Sequence, residues 1–129
     1  MIFIVDDNPS DIELAKIALS ANGRKVSIST ATDGESALAM LRSGRLLPSL
    51  VLLDLNMPGM GGIEMLREMR ADNFLKDLPV VVVTSSSLES DKKDVIAAGA
   101  NDFIRKHLSF DRFRKDLEFV LRRLLPNFA

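Results

Sequence analysis

At 129 residues the chain can bury one sizeable core and has little room for a second, so a single domain over residues 1–129 is expected. Its 17 basic and 18 acidic side chains give a net charge of −1, which removes any whole-molecule attraction for nucleic acid, and the absence of cysteine excludes disulfides, thiol catalysis and cysteine-ligated metals. No apolar run approaches the roughly 20 residues that span a bilayer, and Asp6 and Asp7 come too early for a secretory signal, so a cytoplasmic protein with no membrane insertion is expected.

MIFIV (1–5) is a short continuous apolar run and reads as the first strand. Pro9 opens a helix through Ile12, Ala15 and Leu19, with Gly23 as its expected stop. VSISTA (26–31) alternates as an edge strand does, and Glu35 to Leu41 forms a second helix ahead of Gly44. SLVLLDL (49–55) is another continuous run, after which Ile63 to Met69 places Ile63, Leu66 and Met69 on one helical face. LPVVVVTS (78–85) is the fourth strand, and the helix from Asp91 to Ala98 closes at Gly99 in an expected left-handed cap. DFIRK (102–106) is a shorter fifth strand. The last helix carries Phe110, Phe113, Leu117, Val120 and Leu124 at spacings of three and four, a stripe read as core packing. Continuous β-branched runs suit parallel strands covered on both faces. Five strands alternating with five helices, with no repeat, low-complexity stretch or linker, predict a doubly wound α/β sandwich.

Such sheets bind ligands outside the carboxyl ends of their strands, where the winding reverses. The polar residues expected there are Asp6 and Asp7, Asp54, Thr84 and Ser85, and Lys106; the second strand offers only Thr32 and Asp33. Any one of them alone reads as a turn or cap residue. Together, Asp6, Asp7 and Asp54 bring three negative charges against one positive charge from Lys106, leaving about two uncompensated. Oxygen-only ligands favour Mg²⁺ or Mn²⁺ over zinc, and magnesium often shares a phosphate oxygen with its carboxylates. A phosphoryl group so held needs a nucleophile, a cation and a hydroxyl donor, which Asp54, Lys106 and Thr84 can supply.

The acidic pair in IVDDNPSD, then LLDLNMPGMGG, VVVVTSS and the lysine of NDFIRK together resemble the receiver domains of two-component response regulators over essentially the whole chain. The resemblance implies a flavodoxin-like sheet of order 2-1-3-4-5 and a signalling domain rather than a turnover enzyme. By position it implies that Asp54 accepts a phosphoryl group from a histidine kinase. Mg²⁺ would be held by Asp7 and Asp54, by the backbone carbonyl of Asn56, and by Asp6 through water. Thr84 would hydrogen-bond the acyl phosphate, Lys106 would pair with its oxygens, and Phe103 would be the aromatic switch residue that turns inward as Thr84 moves. Asn56 and Ser86 hold positions that tune dephosphorylation. The segment ADNFLKDLP and the TSS triplet at 84–86 resemble stand-alone regulators working with sensor kinases such as phytochromes.

Receivers usually follow the active-site lysine with proline, often through a cis peptide, whereas His107 follows Lys106 here. A non-prolyl cis bond costs about 3–4 kcal/mol, so a trans 106–107 bond is expected, and the reach of Lys106 and its coupling to Phe103 are open. His107, the only histidine, is read as a loop residue rather than a phosphoryl carrier or pH sensor. Met57, Met60 and Met65 are read as packing rather than as an adaptable surface.

The leading function class is a stand-alone phosphoacceptor signalling module; the alternatives are a haloacid-dehalogenase-type phosphatase and a receiver-like module that binds partners without phosphorylation. The phosphatase class carries a second acid two residues after its nucleophile, where this chain has Asn56. The expected partners are a sensor histidine kinase and a phosphotransfer protein or downstream effector. A homodimer through the face of helix four, strand five and helix five is a further option. Arg112, Arg114, Lys115, Arg122 and Arg123 on the last helix are read as a solvated basic face, with no direct nucleic-acid contact. Phe128 is left to pack on the domain or on a second protomer.

Overall fold

The apolar runs become the strands of one parallel sheet in the computed structural model, which describes residues 1–85, 89–106 and 109–128. The strands are β1 (Ile2–Val5), β2 (Ile28–Ala31), β3 (Leu50–Asp54), β4 (Val80–Thr84) and β5 (Asp102–Arg105), in the order β2-β1-β3-β4-β5. Val5 pairs with Leu53, Asp54 with Val83 and Thr84 with Arg105, so the strands end nearly level along one edge. The helices are α1 (Pro9–Leu19), α2 (Gly34–Arg42), α3 (Gly62–Ala71), α4 (Glu89–Ala97) and α5 (Phe110–Leu124). The expected architecture, strand order and edge position of the second strand are those observed. None of the helices among the described residues is long and apolar enough to cross a membrane.

Strand side chains alternate between faces, and the two faces build separate cores. Phe3, Val5, Val51, Leu53, Val80 and Val82 pack with the helices α2, α3 and α4. Ile2, Ile4, Leu50, Leu52, Val81, Val83 and Ile104 pack with α1 and α5 through residues such as Leu19, Phe113 and Leu121. All five residues of β3 and of β4 are buried, as strands covered on both faces must be. Met57 and Met65 are buried in the first core and Met60 packs against it, which agrees with the packing reading of the methionines.

Helix ends follow local chemistry. Asn8 caps α1 by accepting the Ser10 N–H at 2.9 Å, with Pro9 in the first turn. Gly23 does not end that helix: α1 stops at Ser20, and residues Ala21–Gly23 form a 3₁₀ turn in which Asn22 adopts φ 61°. Gly99 does adopt the expected left-handed cap, at φ 112°. In α5 the buried stripe is Phe113, Leu117, Val120 and Leu121, whereas Phe110, expected inside, lies 37% exposed at the start of the helix.

Phe128 packs on the α1 and α5 core of its own chain. Arg24 lies 4.6 Å from its ring centroid and bonds Glu118 at 2.6 Å and the Leu19 carbonyl at 3.2 Å. Both side chains of the Arg24–Glu118 pair are largely shielded, at 9% and 12% exposure. Truncating one partner of a shielded pair strands the other charge. Arg24→Ala is therefore expected to cost about 2 kcal/mol, somewhat below the usual figure for a buried pair because Glu118 keeps Arg114 at 3.3 Å. A shift of the urea midpoint measures it.

Candidate functional site

Strand parity explains which polar side chains meet. The even residues Ile2, Ile4, Leu50, Leu52 and Ile104 face the α1 and α5 layer, so Asp6, Asp54 and Lys106 continue that side at the strand ends. Asp6 and Asp54 are buried, 6% and 7% exposed, while Asp7 is exposed. One carboxylate oxygen from each of Asp6, Asp7 and Asp54 comes within 4.8 Å of the others. The Lys106 ammonium reaches Asp6 at 3.1 Å and Asp54 at 3.4 Å. Asp6 is fixed from two directions, since its N–H donates to the Ala31 carbonyl at 3.1 Å and its Oδ1 accepts the Asn8 N–H at 2.9 Å.

Sequence reasoning missed Asp11. In the first turn of α1 it receives the shortest contact of the Lys106 ammonium, 2.8 Å. The cluster therefore holds four carboxylates against one ammonium, formally −3 rather than the −2 read from the sequence. Burial pushes the Asp54 carboxyl up to about 6; the charge of Lys106 opposes this and the charges of Asp6 and Asp7 add to it. Burial also disfavours the Lys106 charge, but the hydrogen bond it donates to Asp11 and the charges of Asp54 and Asp6 more than offset this and hold the ammonium above its ordinary value. Shared among three acids, Lys106 is itself well satisfied and leaves each acid only partly neutralised.

A hard divalent cation fits this donor set. The converging atoms are all carboxylate oxygens, they carry uncompensated charge, and Asp7 leaves the group open to solvent. Because Asp54 must be ionised to bind metal and its carboxyl is raised to about 6, Mg²⁺ affinity is expected to be level above pH 7. It should then fall about tenfold for each pH unit below 6. A calorimetric titration at several pH values checks this.

Thr84 and Phe103 belong to the other face. Thr84 is fully buried at the end of β4 with the parity of Val80 and Val82, and half-buried Phe103 packs on the same core opposite Val82. The Lys106 N–H donates to the Thr84 carbonyl at 2.6 Å, tying the ends of β4 and β5 together. Asn56 is exposed in the loop after β3. The readings of Ser86 and His107, and of the 106–107 bond, fall outside the described residues. The basic residues of α5 are paired: Arg112 with Asp116, Arg114 with Asp111 and Glu118, Lys115 with Asp111, Arg122 with Glu118 and Arg123 with Asp102.

Residues 2–118 match the family model for the response regulator receiver domain. Response regulator PleD of Caulobacter vibrioides is 36% identical over 124 residues, which cover 93% of this chain and 26% of that protein. This chain thus spans about a quarter of PleD. Among solved structures, the phosphorylated cyanobacterial phytochrome response regulator RcpA is 32% identical with a TM-score of 0.88, covering 99% of this chain and 95% of that one. The Mn²⁺-bound response regulator Rcp1 is 28% identical with a TM-score of 0.85, covering 99% and 96%.

Proposed function

The chain belongs to the response regulator receiver domain family of two-component signalling, and from that premise we propose that residues 1–129 form one receiver domain whose Asp54 accepts a phosphoryl group from a histidine kinase. The observation that carries this reading is the placement of Asp54. It ends β3, only 7% exposed, among acids whose charge a single ammonium shares.

An Asp54 carboxylate oxygen attacks the phosphorus of a phosphohistidine. The new O–P bond forms as the N–P bond breaks, and its electron pair leaves on the imidazole nitrogen. Asp6, Asp7 and Asp54, with the backbone carbonyl of Asn56, would hold Mg²⁺ or Mn²⁺, which when bound offsets the charge of the phosphoryl oxygens. Lys106 draws the transferred group toward itself, and the Thr84 hydroxyl bonds one of its oxygens. The acyl phosphate carries about −1.5 to −2 charge where the carboxylate carried −1, so both residues favour a different arrangement once it forms. Thr84 and Phe103 share one face and adjacent strands, which supports coupling of the hydroxyl to the aromatic ring. Exposed Asn56, and Ser86 by position, tune hydrolysis of the acyl phosphate.

The output surface in this reading is the face of α4, β5 and α5. Phe119, 71% exposed, and Phe103 line a hollow of about 350 Å³ there with Lys92. A downstream effector or phosphotransfer protein docks on it, with a second copy of the chain as the other occupant to be tested. The protein works in the cytoplasm as an acceptor and not as a turnover enzyme.

Incubation with acetyl phosphate and Mg²⁺ tests the acceptor role. The expected result is one phosphoryl adduct by intact mass, absent when EDTA replaces the metal. Sustained turnover of a phosphomonoester would instead favour the phosphatase class. No adduct and no Mg²⁺ binding would favour the phosphorylation-independent module.

A further inference from the structure

We propose that Asp11 is a positioning residue for Lys106: its carboxylate holds the ammonium off Asp54 before phosphoryl transfer, and letting go of it is part of the response. The inference rests on Asp54 being the acceptor. An ammonium has three donors, and here they are matched to three carboxylates at graded distances: Asp11 at 2.8 Å, Asp6 at 3.1 Å and Asp54 at 3.4 Å. The residue expected to serve Asp54 is therefore held most closely by a different acid. Charge-assisted bonds strengthen as they shorten, so the resting place of the ammonium is set chiefly from α1.

Asp11 suits that role. It lies in the first turn of α1, where the positive end of the helix favours a carboxylate, and the Asn8 cap and Pro9 fix the backbone beneath it. It does not belong to the converging oxygens of Asp6, Asp7 and Asp54, so it holds the ammonium without serving as a donor to the cation. At the other end, the backbone of Lys106 is tied to Thr84 at 2.6 Å. Only its flexible four-carbon stem is left to move the charge. A phosphoryl group on Asp54 carries more negative charge than Asp11 and outcompetes it. Asp11 thus offsets part of the attraction that would otherwise bring Lys106 to Asp54 in the unphosphorylated state, which keeps the resting and phosphorylated arrangements apart.

The test is a double-mutant cycle read by beryllofluoride binding in the presence of Mg²⁺, followed through backbone amide NMR signals. Asp11→Asn keeps the size and an acceptor oxygen but removes the charge. It should tighten beryllofluoride binding about fivefold, equivalent to about 1 kcal/mol. In a Lys106→Met background, titrated into the millimolar range where weakened sites fill, the same change should alter binding less than about twofold. An equal gain in both backgrounds would mean that Asp11 merely repels the anion, and no gain in either would mean that it does not position Lys106; both overturn the proposal. Asp54→Asn identifies the acceptor independently. A native chain that binds no beryllofluoride removes the acceptor reading and this proposal with it, whereas native binding unaffected by Asp11→Asn removes this proposal alone.

Discussion

Asp54→Asn is expected to abolish phosphoryl incorporation and, in the absence of divalent metal, to make the protein more stable. The first effect follows from loss of the nucleophilic oxygen, since an amide oxygen does not replace a carboxylate as acceptor. The second follows from burial. A carboxyl raised to about 6 from the ordinary 3.8 costs the folded state about 3 kcal/mol when ionised. The sign is fixed by the direction of the shift. Below pH 3.8 the group is protonated in both states and carries no penalty; the penalty grows as pH rises and is complete above 6. The neutral amide relieves it, but Lys106 loses a partner at 3.4 Å, so a net gain of about 2 kcal/mol at pH 7 is expected. Urea denaturation at pH 7 in EDTA should show it, and the gain should vanish near pH 3.5 and shrink when Mg²⁺ stabilises the native protein. Functional sites commonly trade stability for activity in this way. A variant no more stable than the native chain at pH 7 would mean that Asp54 is not held under electrostatic stress.

The second large effect comes from a residue with no side chain. After β3 the chain folds back on itself, and the Gly62 N–H donates to the Leu55 carbonyl at 3.0 Å as α3 begins. A Cβ on Gly62 would lie 2.5 Å from the Asp54 carbonyl oxygen and 2.9 Å from the Leu55 Cα. Both neighbours are backbone, so no rotamer change relieves the overlap, and either β3 or α3 must move. Gly62→Ala should cost about 3 kcal/mol, toward the upper end for overpacking. Because the displaced atoms include those of Asp54, labelling by acetyl phosphate should slow by about tenfold, as a misplaced reacting group does. Urea midpoint and labelling rate measured on the same sample check the two effects. A variant within 1 kcal/mol of the native chain would show that the loop absorbs the methyl group.

Much of this was legible in the sequence because the signals were periodic. Continuous runs such as VVVV at 80–83 and LVLL at 50–53 have no other comfortable home than a sheet covered on both faces. The ends of those runs then name Asp6, Asp54, Thr84 and Lys106 directly, and the winding rule carries them to one edge. Asp11 was hidden because an acid in the first turn of a helix already has an ordinary reason to be there. Its partner lies 95 residues away, and only the packing of α1 beside the end of β5 brings them together. Local choices near helix ends were harder to read for a related reason. Gly23 looked like a stop, but the chain had already turned at Ser20 and Asn22, because asparagine also tolerates a positive φ. Phe110 fits the helical stripe by spacing yet sits where α5 has only begun to reach the sheet, while Leu121 takes the buried place one turn after Leu117. The same five-cation helix that looked like a surface charge run is threaded with acids whose pairing depends on rotamers and neighbours, such as Asp102 on β5 beside Arg123.

The most direct test of the account is the position of the phosphoryl group itself. The chain is phosphorylated with acetyl phosphate and Mg²⁺, the acyl phosphate is reduced with borohydride, and the modified residue is identified by peptide mass mapping. The account predicts conversion at Asp54 alone; conversion at Asp6 or Asp7 in its place, or none at all, would contradict it.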